Sequence, residues 1–219
     1  MNDVVLEFRG QGYAVIADVL TPDRVAQLRA EAGELISQFT DLGHRSDDYW
    51  SFQRPDRPDP VLYRIHNLER QGANTLADLH RGGELHGLAE SILGLSVRST
   101  ACALIVKMPQ VAARVPWHRD RTAAPPHTVC NLSVFLDDST MDSGCLEFVP
   151  QSHLLPDDVD VDQVRAYGPV RAVPANAGDV LVHDVRVVHS SRPNGTSVIR
   201  RSIVIEFAPH DFVLPGVAQ

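Results

Sequence analysis

Cysteine is scarce in this chain of 219 residues, which holds only Cys102, Cys130 and Cys145. An odd number without metal-ligand spacing argues against a disulfide framework and a thiolate metal site, and favours reduced thiols used for packing. Long apolar runs are missing too, so no stretch approaches the length that spans a bilayer. The start, Met1-Asn2-Asp3-Val4-Val5, has neither the basic region nor the apolar run of a secretory leader. A cytoplasmic location without a membrane partner is therefore expected. Positive charge is in short supply as well: 20 Lys and Arg stand against 28 Asp and Glu, a net charge of −8, and the basic residues are scattered. Binding through nucleic-acid phosphates needs clustered Lys and Arg, so no nucleic-acid partner is expected. There is no internal repeat and no low-complexity tract. What the chain does have is 43% hydrophobic residues, enough to bury one substantial core, most simply as a single domain over 1–219.

Periodicity divides the chain in two. Gly12 to Leu20 reads as a short strand, and Thr21-Pro22-Asp23 then supplies a capping hydroxyl and a Pro at the first helical position. Val25, Leu28, Ala32, Leu35 and Ile36 follow at helical spacing. Between His44 and Gln71, Pro55, Pro58 and Pro60 break the pattern, and Trp50, Tyr63, Arg64 and His66 are interleaved with charge. That composition predicts a long binding loop with a short strand near Leu62 to His66. A second helix is expected from Thr75 to Leu93, with Thr75 and Asp78 at capping-box spacing and Gly82-Gly83 as a point of fracture. From Leu95 onward short apolar strands alternate with turn residues: Val97 to Met108, Pro116 to Arg119, Thr128 to Leu136, Cys145 to Val149, Val170 to Val173, Val180 to His183 and Ser197 to Phe207. Their number and spacing suit an antiparallel sandwich or barrel.

The chemistry concentrates in Trp117-His118-Arg119-Asp120. A lone His-x-Asp is weak evidence in a chain with 10 His. On a strand, however, residues i and i+2 share a face, so one strand could present both side chains together. A third group must come from elsewhere, and His189 follows the apolar stretch Gly178-Asp179-Val180-Leu181-Val182-His183, which reads as a buried strand delivering that His at its end. Two imidazoles and one carboxylate are the set that holds one face of a non-haem Fe(II) and leaves the other open.

In this order the segments resemble the phytanoyl-CoA dioxygenase family of Fe(II)- and 2-oxoglutarate-dependent oxygenases, over Cys102 to Phe207. Trp117-His118-Arg119-Asp120 resembles the family's ligand pair, with Arg119 where Gln is more usual. Gly144-Cys145-Leu146-Glu147-Phe148-Val149-Pro150-Gln151-Ser152-His153 resembles its Pro-Gly-Ser-His segment, with Gln151 in place of Gly. Gly178-Asp179, then His189-Ser190-Ser191-Arg192-Pro193-Asn194 and Arg200 eleven residues after His189, complete the match. The resemblance implies a mainly β fold with flanking α-helices, a double-stranded β-helix of jelly-roll, cupin-like type. It also implies Fe(II) held by His118, Asp120 and His189, with 2-oxoglutarate and O2 as co-substrates. Arg200 would then bind the far carboxylate of 2-oxoglutarate, with Ser191 adding a hydroxyl. Ser133 stands where many relatives carry a Trp near the co-substrate, and Asn131 on the same face is an equal candidate. Related halogenases carry Gly or Ala at the carboxylate position, so Asp120 argues against halogenation.

A guanidinium suits the charge of a dicarboxylate because it binds bidentately. Strand alternation sends Arg200 and Arg201 to opposite faces, and the family spacing selects Arg200; the alternative is that both are edge-strand surface charges. Other histidines have plainer readings. His183 occupies a position usually apolar or aromatic in relatives and reads as packed or as supporting the ligands. His127 suits a surface loop, His153 a structural turn, and His80 and His86 lie on a helix without ligand spacing. His44, His66 and His210 could line a pocket, and Tyr63, Arg64 and His66 together suit a polar small-molecule substrate. The expected function is oxidation of a C–H of such a molecule by hydroxylation, ring closure, desaturation or epimerisation, in bacterial secondary metabolism and on a hydroxyl-rich, sugar-containing scaffold. The competing readings are a cupin-like metal isomerase or binding module without 2-oxoglutarate, and an inactive scaffold. Nothing in the sequence speaks to oligomeric state.

Overall fold

In the computed structural model, residues 1–41, 48–53, 60–72, 74–81, 83–111 and 113–213 are described. In chain order the elements are α1 (Asn2–Gln11), β1 (Tyr13–Ile16), α2 (Pro22–Asp41), β2 (Tyr49–Gln53), β3 (Pro60–His66), α3 (Asn74–Arg81) and α4 (Glu84–Leu93). Then follow β4 (Val97–Lys107), β5 (Val115–His118), β6 (Cys130–Phe135), β7 (Leu146–Phe148), α5 (Val161–Tyr167), β8 (Arg171–Val173), β9 (Val180–Asp184), β10 (His189–Ser191) and β11 (Arg200–Pro209). Seven strands form one antiparallel sheet, β1-β9-β6-β11-β4-β3-β2, and four form another, β5-β10-β7-β8. Together they make the double-stranded β-helix, a cupin-like jelly roll with helices against the larger sheet.

The period of two along β11 explains how one strand serves both a core and a cavity. Ile203, Ile205 and Phe207 join Leu28, Leu35, Ile92, Leu104 and Leu132 in the apolar layer between the large sheet and the helices. Arg200, Ser202, Val204 and Glu206 face the other way and line a cavity between the sheets. Strand β6 repeats the rule, with Leu132 and Val134 in the core and Asn131 and Ser133 on the cavity. Tyr13, Phe135, Phe148, Leu181 and Val187 fill the rest of the space between the sheets, where Tyr13 stacks on Phe148 at 4.4 Å.

Several elements differ from expectation. Helix α1 was not anticipated: Val4, Val5 and Phe8 supply its apolar side, and Gly12 closes it at φ 88 with its N–H donated to Phe8 O. Thr21 does cap α2, its Oγ1 accepting from Arg24 N at 3.3 Å. The helix expected over Thr75 to Leu93 is two helices, α3 and α4, divided where Gly83 takes φ 83. Thr75 does not act as its cap. Instead Thr75 N and Leu76 N donate to the Glu31 carboxylate at 3.1 and 2.6 Å, a partner more than forty residues away on α2. The loop expected over His44 to Gln71 contains a β2–β3 hairpin at the edge of the large sheet, while His44, Pro55 and Pro58 lie outside the described residues. The three cysteines are buried and unpaired.

Candidate active site

Strand β5 ends at His118, so the His-x-Asp pair is split between the strand and the residues just beyond it. Asp120 keeps its place because its N–H donates to Val185 O at 2.9 Å. His189 is also placed differently from expectation. Strand β9 stays in the large sheet, and the chain crosses between Asp184 and His189 to enter the small sheet as β10. The buried Arg186 guanidinium holds that crossing, donating to the carbonyls of Thr122, Ala124, His153 and Leu155 at 2.7 to 3.1 Å. As a result His189 pairs directly opposite His118 in the β10–β5 ladder, with ring centroids 4.2 Å apart. One ligand atom each from His118, Asp120 and His189 lie within 4.8 Å of one another.

The hydrogen bonds around these three select which atoms they offer. His118 Nδ1 lies 2.8 Å from Pro116 O and His189 Nδ1 lies 2.9 Å from Val187 O. Carbonyls accept, so both Nδ1 atoms carry protons, and in each ring's neutral form Nε2 is left with a lone pair. Those lone pairs face a carboxylate: His118 Nε2 is 3.4 Å from Asp120 Oδ1, and His189 Nε2 is 3.7 Å from Oδ2. Acceptors gathered in this way call for a positive charge between them, a proton or a metal ion. Burial, opposed by Asp120 and aided by His118 and His183, pushes the His189 imidazole down to about 3, leaving it neutral and ready to ligate. Burial also opposes charge on His118, but the hydrogen bond and charge of Asp120 raise it overall. For Asp120 burial is again the largest influence, yet His189 and the hydrogen bonds from His118 and His183 hold it well below the usual carboxylate range.

Asp120 Oδ2 is clamped from the opposite side. His183 Nε2 lies 3.0 Å from it and Asn131 Nδ2 donates to it at 2.8 Å. These two residues are cross-strand partners on β9 and β6, so the sheet sets them side by side. Asn131 thus spends its amide on the carboxylate, and Oδ1 is the oxygen turned toward His118.

The same cavity, about 340 Å³, is lined by Arg200, Ser191, Ser133, Tyr63 and Arg64 besides the three clustered side chains. Arg200 is 3% exposed. Its Nη1 donates to Ser202 Oγ at 3.1 Å and its Nη2 to Gly144 O at 3.0 Å, while Nε is buried without a partner. Only glycine fits at 144, where φ is 88 and a Cβ would lie 2.4 Å from Arg192 O. Burial pulls the Arg200 guanidinium down to about 10, with Cys145 and Asp137 pulling the other way, so it stays charged at neutral pH. Among the described residues no carboxylate pairs with it, because Asp137 is engaged by Arg201 at 2.8 and 2.9 Å on the opposite face. A buried cation without a protein anion is costly and fits a site that receives an anionic ligand.

At the mouth, Trp50 is 51% exposed and sits with Tyr63 and Arg64. Alternation would put Tyr63 and Arg64 on opposite faces. A bulge prevents this: Trp50 pairs Arg64 and Ser51 pairs Leu62, leaving Tyr63 as the extra residue. His66 is not in the cavity wall; its ring packs against Trp50 at 4.4 Å. Ser202, His183, Arg121 and Glu206 join the wall without having been picked out as ligand-contacting. Ser202 and Glu206 were reachable by stepping in twos from Arg200.

Residues 8–202 match the family model of phytanoyl-CoA dioxygenase. The chain belongs to the phytanoyl-CoA dioxygenase family. It is accordingly a non-haem Fe(II)- and 2-oxoglutarate-dependent dioxygenase, and the donor set just described fits those groups. Among solved structures it is similar to AviO1 from Streptomyces viridochromogenes Tue57, with 51% identity, TM-score 0.92, and 97% of this chain and 96% of that one covered. It is also similar to SnoN, the non-heme alpha ketoglutarate dependent epimerase from nogalamycin biosynthesis, with 26% identity, TM-score 0.77 and coverage of 100% and 90%. A probable alpha-ketoglutarate-dependent hypophosphite dioxygenase of Stutzerimonas stutzeri is 24% identical over 94% of this chain and 77% of that protein. Among the described residues no helix is long and apolar enough to cross a membrane.

Proposed function

We propose that this family member oxidises a C–H of a hydroxyl-rich small molecule in secondary metabolism, by hydroxylation or by closing a ring. His118 Nε2, Asp120 Oδ1 and His189 Nε2 are assigned to the iron, and Arg200 to the distal carboxylate of 2-oxoglutarate. With O2, the bound iron and co-substrate supply the oxidant that removes a hydrogen atom from the substrate. The chain's own residues do the positioning. Ser202 and Gly144 O aim the guanidinium, and Ser191, 3% exposed, is assigned to offer a hydroxyl beside it. His183 and Asn131 hold Asp120 Oδ2 so that Oδ1 stays turned to the metal. At the mouth, Arg64 and Tyr63 are assigned to hold substrate hydroxyls, next to the Trp50 ring. His66, packed behind Trp50, supports that wall. Ser133, small and buried on the cavity wall, leaves space near the co-substrate.

The observation that carries the co-substrate assignment is Arg200, buried and without an acidic partner in the cavity that holds the trio. A metal isomerase or binding module that makes no use of 2-oxoglutarate would gain nothing from such a cation. A relative supports the substrate class: SnoN, 26% identical, is an epimerase from nogalamycin biosynthesis. The test is anaerobic titration of the Fe(II)-loaded protein with 2-oxoglutarate. A visible charge-transfer band, followed by O2-dependent succinate release, is expected; a featureless spectrum would refute the assignment.

The Asp120 clamp yields its own expectation. His183→Phe keeps an aromatic ring and deletes the donor, and partners that orient a ligand are worth 10- to 100-fold in metal affinity. The Fe(II) dissociation constant of the apoprotein should therefore rise by roughly that factor, read by anaerobic titration. An unchanged constant would show that His183 is packing alone.

A further inference from the structure

We infer that the substrate is longer than the unit that reacts, and that a ring-bearing apolar module of it lies outside the iron cavity, in a trough over Met108, Val111 and Val115. This rests on the oxygenase reading above and extends the same site. The trough is a second cavity of about 420 Å³ that borders the first, with Tyr63 and Val115 lining both. A third, of about 250 Å³, shares Met108 and Val111 with the second. The three adjoin in a row that starts at the clustered ligands, with the bulged Tyr63 at the first border.

Volume argues for using that path. The first cavity, about 340 Å³, is at the lower end for a small-molecule site and must also house the co-substrate. Little more than one ring of substrate fits beside 2-oxoglutarate there. Chemistry changes along the path as well. Around the trio the walls offer Tyr63, Arg64 and Ser133 side chains, which suits a polyhydroxylated ring. In the trough the polar side chains are largely spent within the protein. Lys107 Nζ donates to Arg192 O at 2.5 Å and to Ala113 O at 3.5 Å. Asn194 Nδ2 donates to the carbonyls of Lys107 and Val198 at 3.0 and 2.8 Å, and its Oδ1 accepts from Thr196. Arg114 Nη1 bonds Glu147 and Ser190, both at 2.9 Å. What remains for an incoming group is mainly the aliphatic surface of Met108, Val111, Ala113 and Val115, with Tyr63 at the border. The occupant is therefore an aromatic or similarly apolar ring joined to the polar unit that reacts, and a free apolar ligand unlinked to it would have no reason to share a wall with the iron cavity.

The experiment uses two defined probes, methyl β-D-glucoside and 2-naphthyl β-D-glucoside, titrated calorimetrically into the anaerobic Fe(II) and 2-oxoglutarate complex. Burying the naphthyl ring should tighten binding by roughly 10- to 100-fold over the methyl compound. Ala113→Trp, which fills the trough from a half-buried loop position, should erase that advantage and leave 2-oxoglutarate binding unchanged. Met108→Gln, similar in length but polar, should reduce it and serves if the first variant folds poorly. The inference is overturned if the naphthyl compound binds no better than the methyl one, if neither binds, or if its advantage survives both substitutions. Formation of the charge-transfer band in the same samples separates the two ideas, since its absence would bring down the oxygenase assignment and its presence would confine a negative result to the trough.

Discussion

Replacing Arg200 with Met should raise the 2-oxoglutarate concentration at half-saturation by about two to three orders of magnitude, the penalty for stripping one partner from a buried charge pair. Binding of Fe(II) alone should be nearly unchanged, because Arg200 touches Ser202 and Gly144 O and none of the three ligands. The sign of the stability change is the more telling part. In the apoprotein the guanidinium is 3% exposed, has no acidic partner among the described residues and leaves Nε without an acceptor, so it costs folding free energy. The melting temperature of Arg200→Met apoprotein should hold or rise while co-substrate binding collapses, the trade expected where a residue is kept for function. Arg200→Lys should fall between, since an ammonium keeps the charge but loses the planar fork that meets a carboxylate with two parallel bonds. A lower melting temperature with unchanged 2-oxoglutarate saturation would recast Arg200 as a structural residue.

How much of this was legible in the sequence depends on the range of the forces involved. Alternation is local, so the opposite facing of Arg200 and Arg201 could be read directly; the structure has Arg200 in the cavity and Arg201 in a bidentate pair with Asp137. Seven of the eight strands from Val97 onward were legible for the same reason, with ends shifted by at most three residues; β10 was not among them. Features set by distant partners were not. Tyr63 faces the cavity through a bulge that exists only once β2 pairs with β3. His189 reaches the small sheet because Arg186 ties the crossing to carbonyls scattered from Thr122 to Leu155. Glu31, not Thr75, serves the start of α3. His183 could be read as packed or supporting, and the choice depended on the β6–β9 register that brings it beside Asn131 and against Asp120.

Asp120→Ala tests the keystone of that arrangement and should abolish succinate formation from O2 and 2-oxoglutarate. The carboxylate is the one negative charge within the cluster, and its two oxygens are divided: Oδ1 faces His118 Nε2, while Oδ2 accepts from His183 and Asn131. Removing it leaves two neutral imidazoles to hold a doubly charged ion, and it orphans both donors that had held the carboxylate in place. Tight protein metal sites draw on roughly 10 to 16 kcal/mol shared among their ligands, so losing one of three protein ligands should weaken Fe(II) binding by at least about 100-fold. Asp120→Glu separates charge from position. It restores the negative charge but adds a methylene, so the two oxygens no longer fit both the side facing His118 and the clamp of His183 and Asn131. Iron affinity should therefore recover in part while turnover does not, because the added length misdirects the ligand by more than the roughly 0.5 Å tolerance of a preorganised site. Full turnover in Asp120→Ala would remove the carboxylate from the metal site and the two-imidazole, one-carboxylate assignment with it.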